Sequence, residues 1–275
     1  MYFDLEKLPD LTEFLSTKEG QGLQNIWNRV QTEILSAVKS QDELDAINHY
    51  QAECDRLFQI GSSYQLDPAH PEGYYGDQVA YSQVAANATI HRGVYCPSPV
   101  YDILIGRTRR GRILQRPTQR SNITHRYYFD NNGKLCYVKS IYKGRHTSTE
   151  FLIPEEERIY GITLGLDGKL TAVCVESYIA DMLQSYCLTE YCWIGSEVSC
   201  FRFRLEEYGY DNEGLSVCDV YTFNPMLQLC EHERYHFERK DGYLSSYTVS
   251  KLVGNEKVEN NSDGHVFDIT IKRKA

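Results

Sequence analysis

Five times in the last 150 residues an Asp or Asn stands at or just before a glycine between runs rich in Tyr, Phe, Val and Thr. No other feature constrains the fold as strongly. Arg126-Tyr127-Tyr128-Phe129-Asp130 leads through Asn131-Asn132-Gly133 into Leu135-Cys136-Tyr137-Val138, and Arg234-Tyr235-His236-Phe237-Glu238 leads through Asp241-Gly242 into Tyr243-Leu244. Asp167-Gly168, Asn212-Glu213-Gly214 and Asp263-Gly264 repeat the scheme. Glycine after Asp or Asn supplies the positive φ of a tight hairpin turn, and aromatic or β-branched flanks suit a pleated surface. Residues 126–275 therefore read as a long, mainly antiparallel β-meander of about ten strands. The turn glycines are separated by 35, 46, 28 and 22 residues, which argues against a strict propeller or solenoid.

Such a meander must curl or pack on another layer to hide one face. The N-terminal part supplies that layer. Leu23, Ile26, Trp27, Val30, Ile34, Leu35 and Val38 recur at helical spacing. Ser40-Gln41-Asp42-Glu43 forms a capping box that opens a second helix, which should run to about Ile60, with Gly61 ending it. The fold class is α+β: a helical hairpin over 1–61, an irregular Arg-rich connector over 62–125, and the hairpin region over 126–275. The three fit one continuous domain or separate ones. Asp67-Pro68, His70-Pro71 and Cys96-Pro97-Ser98-Pro99 interrupt the connector, leaving room for short strands around Val100 to Ile105 and Arg112 to Leu114.

The net charge of -9 is unevenly spread. The connector holds Arg107, Arg109, Arg110, Arg112, Arg116 and Arg120, which read as a solvated loop or internal counter-charge rather than a nucleic-acid groove. Between Glu176 and Glu233, 11 acidic residues face only Arg202 and Arg204. A surface normally mixes both signs, so this stretch is the candidate binding face for a basic protein. Its residues are Glu206, Glu207, Asp211, Glu213 and Asp219 for charge, with Tyr191, Trp193, Tyr208 and Tyr210 as aromatic anchors. The competing reading is that the tyrosines line half-exposed strands and the carboxylates protect sheet edges.

The sharpest catalytic string is His232-Glu233-Arg234-Tyr235-His236, an HExxH match. On a helix its imidazoles would share one face and bind zinc, with Glu233 activating a water. The string lies in the Arg-Tyr-His-Phe-Glu phrase that repeats the Arg126 hairpin, which predicts strand instead. The nine cysteines form no CxxC pair and read as buried, reduced thiols, Cys174 and Cys230 among apolar neighbours. No signal peptide and no 18-residue apolar run is present, so a cytoplasmic address without membrane contact is expected, and no cofactor motif stands out.

The aromatic-Asp-x-x-Gly-Lys-Leu phrase of the first hairpin resembles the tyrosine-aspartate repeats of bacterial polymorphic toxins and the hairpin-rich immunity proteins encoded beside them. That resemblance covers about half of the chain. It implies a non-catalytic immunity protein that covers the active site of a basic, nucleic-acid-degrading toxin. A zinc-dependent hydrolase using His232, Glu233 and His236 is the alternative, and a structural β-scaffold is the third reading.

Overall fold

The computed structural model describes residue 21 and residues 39–69, 78–83, 91–100, 111–114, 116–118, 122–240, 243–253 and 256–257. Among the described residues one helix, α1 (Gln41–Ser63), precedes thirteen strands that form a single antiparallel sheet. The strands are β1 (Gln78–Gln83), β2 (Arg112–Leu114), β3 (His125–Phe129), β4 (Leu135–Tyr142), β5 (Arg145–Glu155), β6 (Arg158–Gly165), β7 (Leu170–Ile179), β8 (Met182–Ile194), β9 (Glu197–Asp211), β10 (Gly214–Asn224), β11 (Leu229–Lys240), β12 (Tyr243–Val253) and β13 (Glu256–Lys257). From β3 to β13 each strand pairs with the next, an unbroken meander, and β1 and β2 extend it beyond β3.

The turn chemistry explains the meander. Gly133 (φ 78°), Gly168 (φ 76°) and Gly214 (φ 119°) take the left-handed or extended-positive backbone that the sequence assigns to them. Gly242 and Gly264 lie outside the described residues. Five further hairpins among the described residues have weaker signatures: Lys143-Gly144, Glu156-Glu157, Ala180-Asp181, Gly195-Ser196 and the Pro225 to Gln228 turn. Ala180 (φ 48°) and Asp181 (φ 63°) make the β7–β8 turn with no glycine at all. Ladder pairing on both sides holds them in that strained region.

Because side chains alternate along each strand, the sheet has two faces, and each is covered differently. On the first, α1 lies across β7, β9 and β11. Ser40 and Glu43 close the capping box as expected: the Glu43 amide donates to Ser40 Oγ at 3.3 Å, and the Ser40 amide donates to Glu43 Oε2 at 2.7 Å. Cys54 and Leu57 are fully buried against Val173, Val175, Cys187, Tyr191, Cys200 and Phe203. Gly61 does not end the helix, which continues to Ser63. A Cβ there would sit 2.6 Å from Val173 and 2.8 Å from Leu170, so glycine marks the closest approach of helix to sheet. The first helix expected over 23–38 lies outside the described residues, and among those residues α1 is the only α-helix longer than a turn.

On the second face residues 91–100 form a strap. Its short 3-10 turn, Gly93–Tyr95, rests on β3, where Tyr95 meets Tyr127 edge-on at 4.7 Å. Val100 is buried over β7, β8 and β9 with Cys174, Tyr186, Leu188 and Tyr208. The connector therefore contributes both the strap and β1 and β2 to the same sheet as the hairpins. The expected strand at Arg112 to Leu114 is β2. The stretch after Val100, with Arg107, Arg109 and Arg110, lies outside the described residues, as does Arg120.

Candidate functional site

The strap face holds the densest polar cluster. Arg92, in the left-handed region (φ 54°) and almost fully buried, sends Nε and Nη2 to Glu150 Oε1 at 2.9 and 2.7 Å, and Nη1 to Glu176. Gly161 makes room for this pair, since a Cβ there would fall 2.1 Å from the Glu150 carboxylate and 2.4 Å from Arg92 Nη2. Burial by itself would raise the Glu150 pKa, but the Arg92 and His91 charges override it and hold the carboxyl well below its usual range. His91 Nε2 lies 3.1 Å from the same Glu150 oxygen, and its Nδ1 lies 2.8 Å from the hydroxyl of Tyr186, which is fully buried. The Tyr178 hydroxyl donates to Glu176 at 2.6 Å.

Cys174 completes a triad. A His91 ring nitrogen, a Glu150 oxygen and the Cys174 sulfur all lie within 4.8 Å of one another, a set that can hold a metal ion. Burial pushes the Cys174 thiol well up, so it is protonated when free. Farther along the strap, Ser98 donates to Glu206 Oε2 at 2.6 Å, Tyr208 donates to the same oxygen at 2.6 Å, and Arg204 Nε donates to Oε1 at 2.7 Å. Near β3, burial lowers the His125 pKa to about 4, with the His91 charge adding to the effect and Glu150 opposing it.

The residues predicted as a single binding face divide between the two faces and one end of the sheet. Glu206 and Tyr208 are buried beneath the strap, and Tyr210, half-buried, donates to the Leu183 carbonyl at 2.6 Å. Tyr191 is buried under α1, its hydroxyl donating to the Cys54 carbonyl at 2.8 Å, and Trp193 donates to the Leu170 carbonyl at 2.7 Å. Asp219 is buried in a bidentate pair with Arg234 (2.8 and 2.9 Å), while His232 approaches its Oδ1 at 2.8 Å. Burial would raise the Asp219 pKa, but these partners hold it below the usual value. Only Glu207, Asp211 and Glu213 are exposed. The sequence stretch is acidic partly because alternate strand residues feed internal ion pairs, which composition does not reveal.

The HExxH string is a strand, as its repeat of the Arg126 hairpin predicts. His232, Glu233 and His236 all lie in β11, where His232 stacks on Tyr221 at 4.1 Å. Two strand residues four apart share a face but stand roughly 13 Å from one another. That geometry brings no pair of imidazoles to one zinc ion.

Sequence reasoning missed the ends of the sheet, where a meander gathers alternate turns. At one end lie the tips of β3–β4, β5–β6, β7–β8 and β9–β10. They carry Asp130, Glu155, Glu156, Glu157, Asp181, Asp211 and Glu213 against Lys134 and Arg158. All of these acids except half-buried Asp130 are exposed, and Ile179 (60% exposed) and Met182 (45%) flank the β7–β8 tip between them. Successive tips at this end stand about 10 Å apart, two strand spacings. The opposite end, formed by the tips of β4–β5, β6–β7, β8–β9 and β10–β11, presents Lys143, Arg145 and Lys169 with Asp167 and Glu197.

No protein-family model matches the chain, and no curated protein is detectably similar to it. Among the described residues no helix is long and apolar enough to cross a membrane. All nine cysteines are free thiols, five of the six buried ones lying in the two packed faces of the sheet.

Proposed function

We propose that the chain is a non-catalytic binding protein that neutralises a basic partner, of the immunity type suggested by its hairpins, through the acidic end of its sheet. One observation carries this reading. Four neighbouring hairpin tips place seven carboxylates against two cations, with exposed Ile179 and Met182 near their centre. An apolar centre ringed by charge of one sign is the anatomy of a specific interface: the charge speeds encounter, and the desolvated centre supplies affinity. A nuclease is a fitting partner because the groove that holds phosphates is basic and accepts a carboxylate array in their place.

The test is charge reversal of Glu156, Glu157, Asp211 and Glu213 to Lys, measured against a basic nuclease toxin domain encoded beside the gene. Association should slow at least tenfold and lose most of its salt dependence, with the circular dichroism spectrum unchanged. A control reversal of Asp42 and Asp45 on α1 should leave association unaltered. Equal binding by both variants removes the sheet end as the interface.

A further inference from the structure

Beneath the strap, two carboxylates share one guanidinium and one imidazole. Arg92 contributes one positive charge, and Glu150 and Glu176 contribute two negative ones, all three nearly fully buried. The other buried carboxylate on this face, Glu206, has its own cation in Arg204. A second positive charge completes the pairing of these two carboxylates, whether it is carried by the His91 imidazole, 3.1 Å from Glu150, or by a bound metal ion. The geometry favours a metal ion here: His91, Glu150 and Cys174 bring one imidazole, one carboxylate and one thiol together, with ligand atoms within 4.8 Å of one another.

We propose that His91, Glu150 and Cys174 form a zinc(II) site that clips the strap to β5 and β7. Nitrogen, oxygen and sulfur donors together favour zinc over magnesium or calcium, which take oxygen ligands. The 3.1 Å from His91 Nε2 to Glu150 Oε1 is close to the edge of a tetrahedral zinc shell, about 3.3 Å for bonds of roughly 2.0 Å. Zinc with a Cys174 thiolate adds one net positive charge, which brings the set with Arg92, Glu150 and Glu176 to zero.

The proton balance is also closed. Cys174 releases its thiol proton to solvent. The His91 proton sits on Nδ1 rather than Nε2, and the Tyr186 oxygen 2.8 Å away accepts its hydrogen bond. A hydrogen bond from the second ring nitrogen is what fixes the orientation of a metal-binding histidine. His91, the only partly exposed member of the triad, gives the ion its way in. The space over Gly161 is taken by the Glu150 carboxylate and the Arg92 guanidinium, so any larger residue there would push Glu150 out of the set. This site is separate from the HExxH string on β11 and from the acidic end of the sheet, so it stands or falls apart from the proposed partner.

Cobalt(II) is the probe. Full-length protein, stripped of metal under a phosphine reductant, is titrated with Co(II) and followed by absorption. The expected result is one equivalent bound, with a near-ultraviolet sulfur-to-cobalt charge-transfer band that Zn(II) abolishes by displacement. Cys174→Ser should lose that band, and His91→Gln should weaken Co(II) binding at least tenfold. His91 is not part of the apolar core, so its variant decides the matter if Cys174→Ser fails to fold. Absence of a one-equivalent thiolate band in the wild-type protein overturns the proposal. So does unchanged Co(II) affinity in His91→Gln, or a band that persists in folded Cys174→Ser.

Discussion

The two faces of this sheet are buried by different means. Under α1 the contacts are apolar: Leu57 and Cys54 against Val173, Cys187 and Phe203, with Gly61 letting the helix backbone close on β7. Under the strap buried charges join the apolar contacts: Arg92 sits between Glu150 and Glu176, and Ser98 donates a hydrogen bond to the Glu206 carboxylate. A 23-residue helix presents a whole apolar stripe, but a ten-residue irregular segment has backbone groups to satisfy and little apolar area to offer. Hydrogen bonds and charge therefore fix the strap in one register, at the expense of buried charges that must stay paired.

The largest expected effect breaks that pairing. Arg92→Ala leaves two buried carboxylates without their cation and should cost about 3–5 kcal/mol in urea unfolding. The comparison is sharpened by a triple variant, Arg92→Met with Glu150→Gln and Glu176→Gln, which removes the charges together. It should be more stable than Arg92→Ala alone. If instead the single variant loses less than about 1 kcal/mol, the ionic account of the strap face is wrong.

Acid should separate the two faces next. The His125 pKa falls from about 6.5 unfolded to about 4 folded, because the buried ring resists charging. Between these values the unfolded chain binds a proton that the folded chain does not. Its contribution is thus complete above pH 6.5 and is lost as pH falls toward 4, about 3 kcal/mol over that window. Urea midpoints measured at pH 7, 5.5 and 4.5 should fall in the wild type and fall less in His125→Asn. An identical pH profile in the two proteins would locate the acid sensitivity elsewhere.

A smaller effect tests the helix face. Ser40→Ala removes the side-chain half of the capping box and should cost about 1 kcal/mol. Because α1 is held by its apolar stripe, the loss should not depend on pH between 5 and 8, whereas the strap-face losses should. The smallest is at the acidic tips, where reversing Asp211 and Glu213 should change stability by less than about 0.5 kcal/mol. A loss above 2 kcal/mol there would mean that these carboxylates serve the fold rather than a partner.

Much of the architecture was legible residue by residue. Gly133, Gly168 and Gly214 announced their hairpins because a positive φ excludes most other residues, and Ser40 with Glu43 announced the start of α1 because capping needs both side chains at that spacing. The Ala180-Asp181 turn was not legible, since its strained backbone is imposed by the ladder on either side and not by its own residues. The role of Gly61 was misread for a related reason: a glycine near a helix end signals a cap unless one knows that a sheet lies 2.6 Å from its missing Cβ.

The candidate sites divide in the same way. The hairpins, their turn chemistry, the capped helix and the excess of acid can all be read along the chain, because each depends on neighbours within a few residues. Which acids face solvent is a property of the folded sheet. Glu206 and Glu207 are adjacent in the chain, yet one is sealed beneath Ser98 and Tyr208 and the other is exposed on the opposite face. Likewise His91, Glu150 and Cys174 are separated by 59 and 24 residues and share no motif. A strap crossing one face of a meander brings them together, since strand order and register, which are non-local, place β5 and β7 on either side of Gly161.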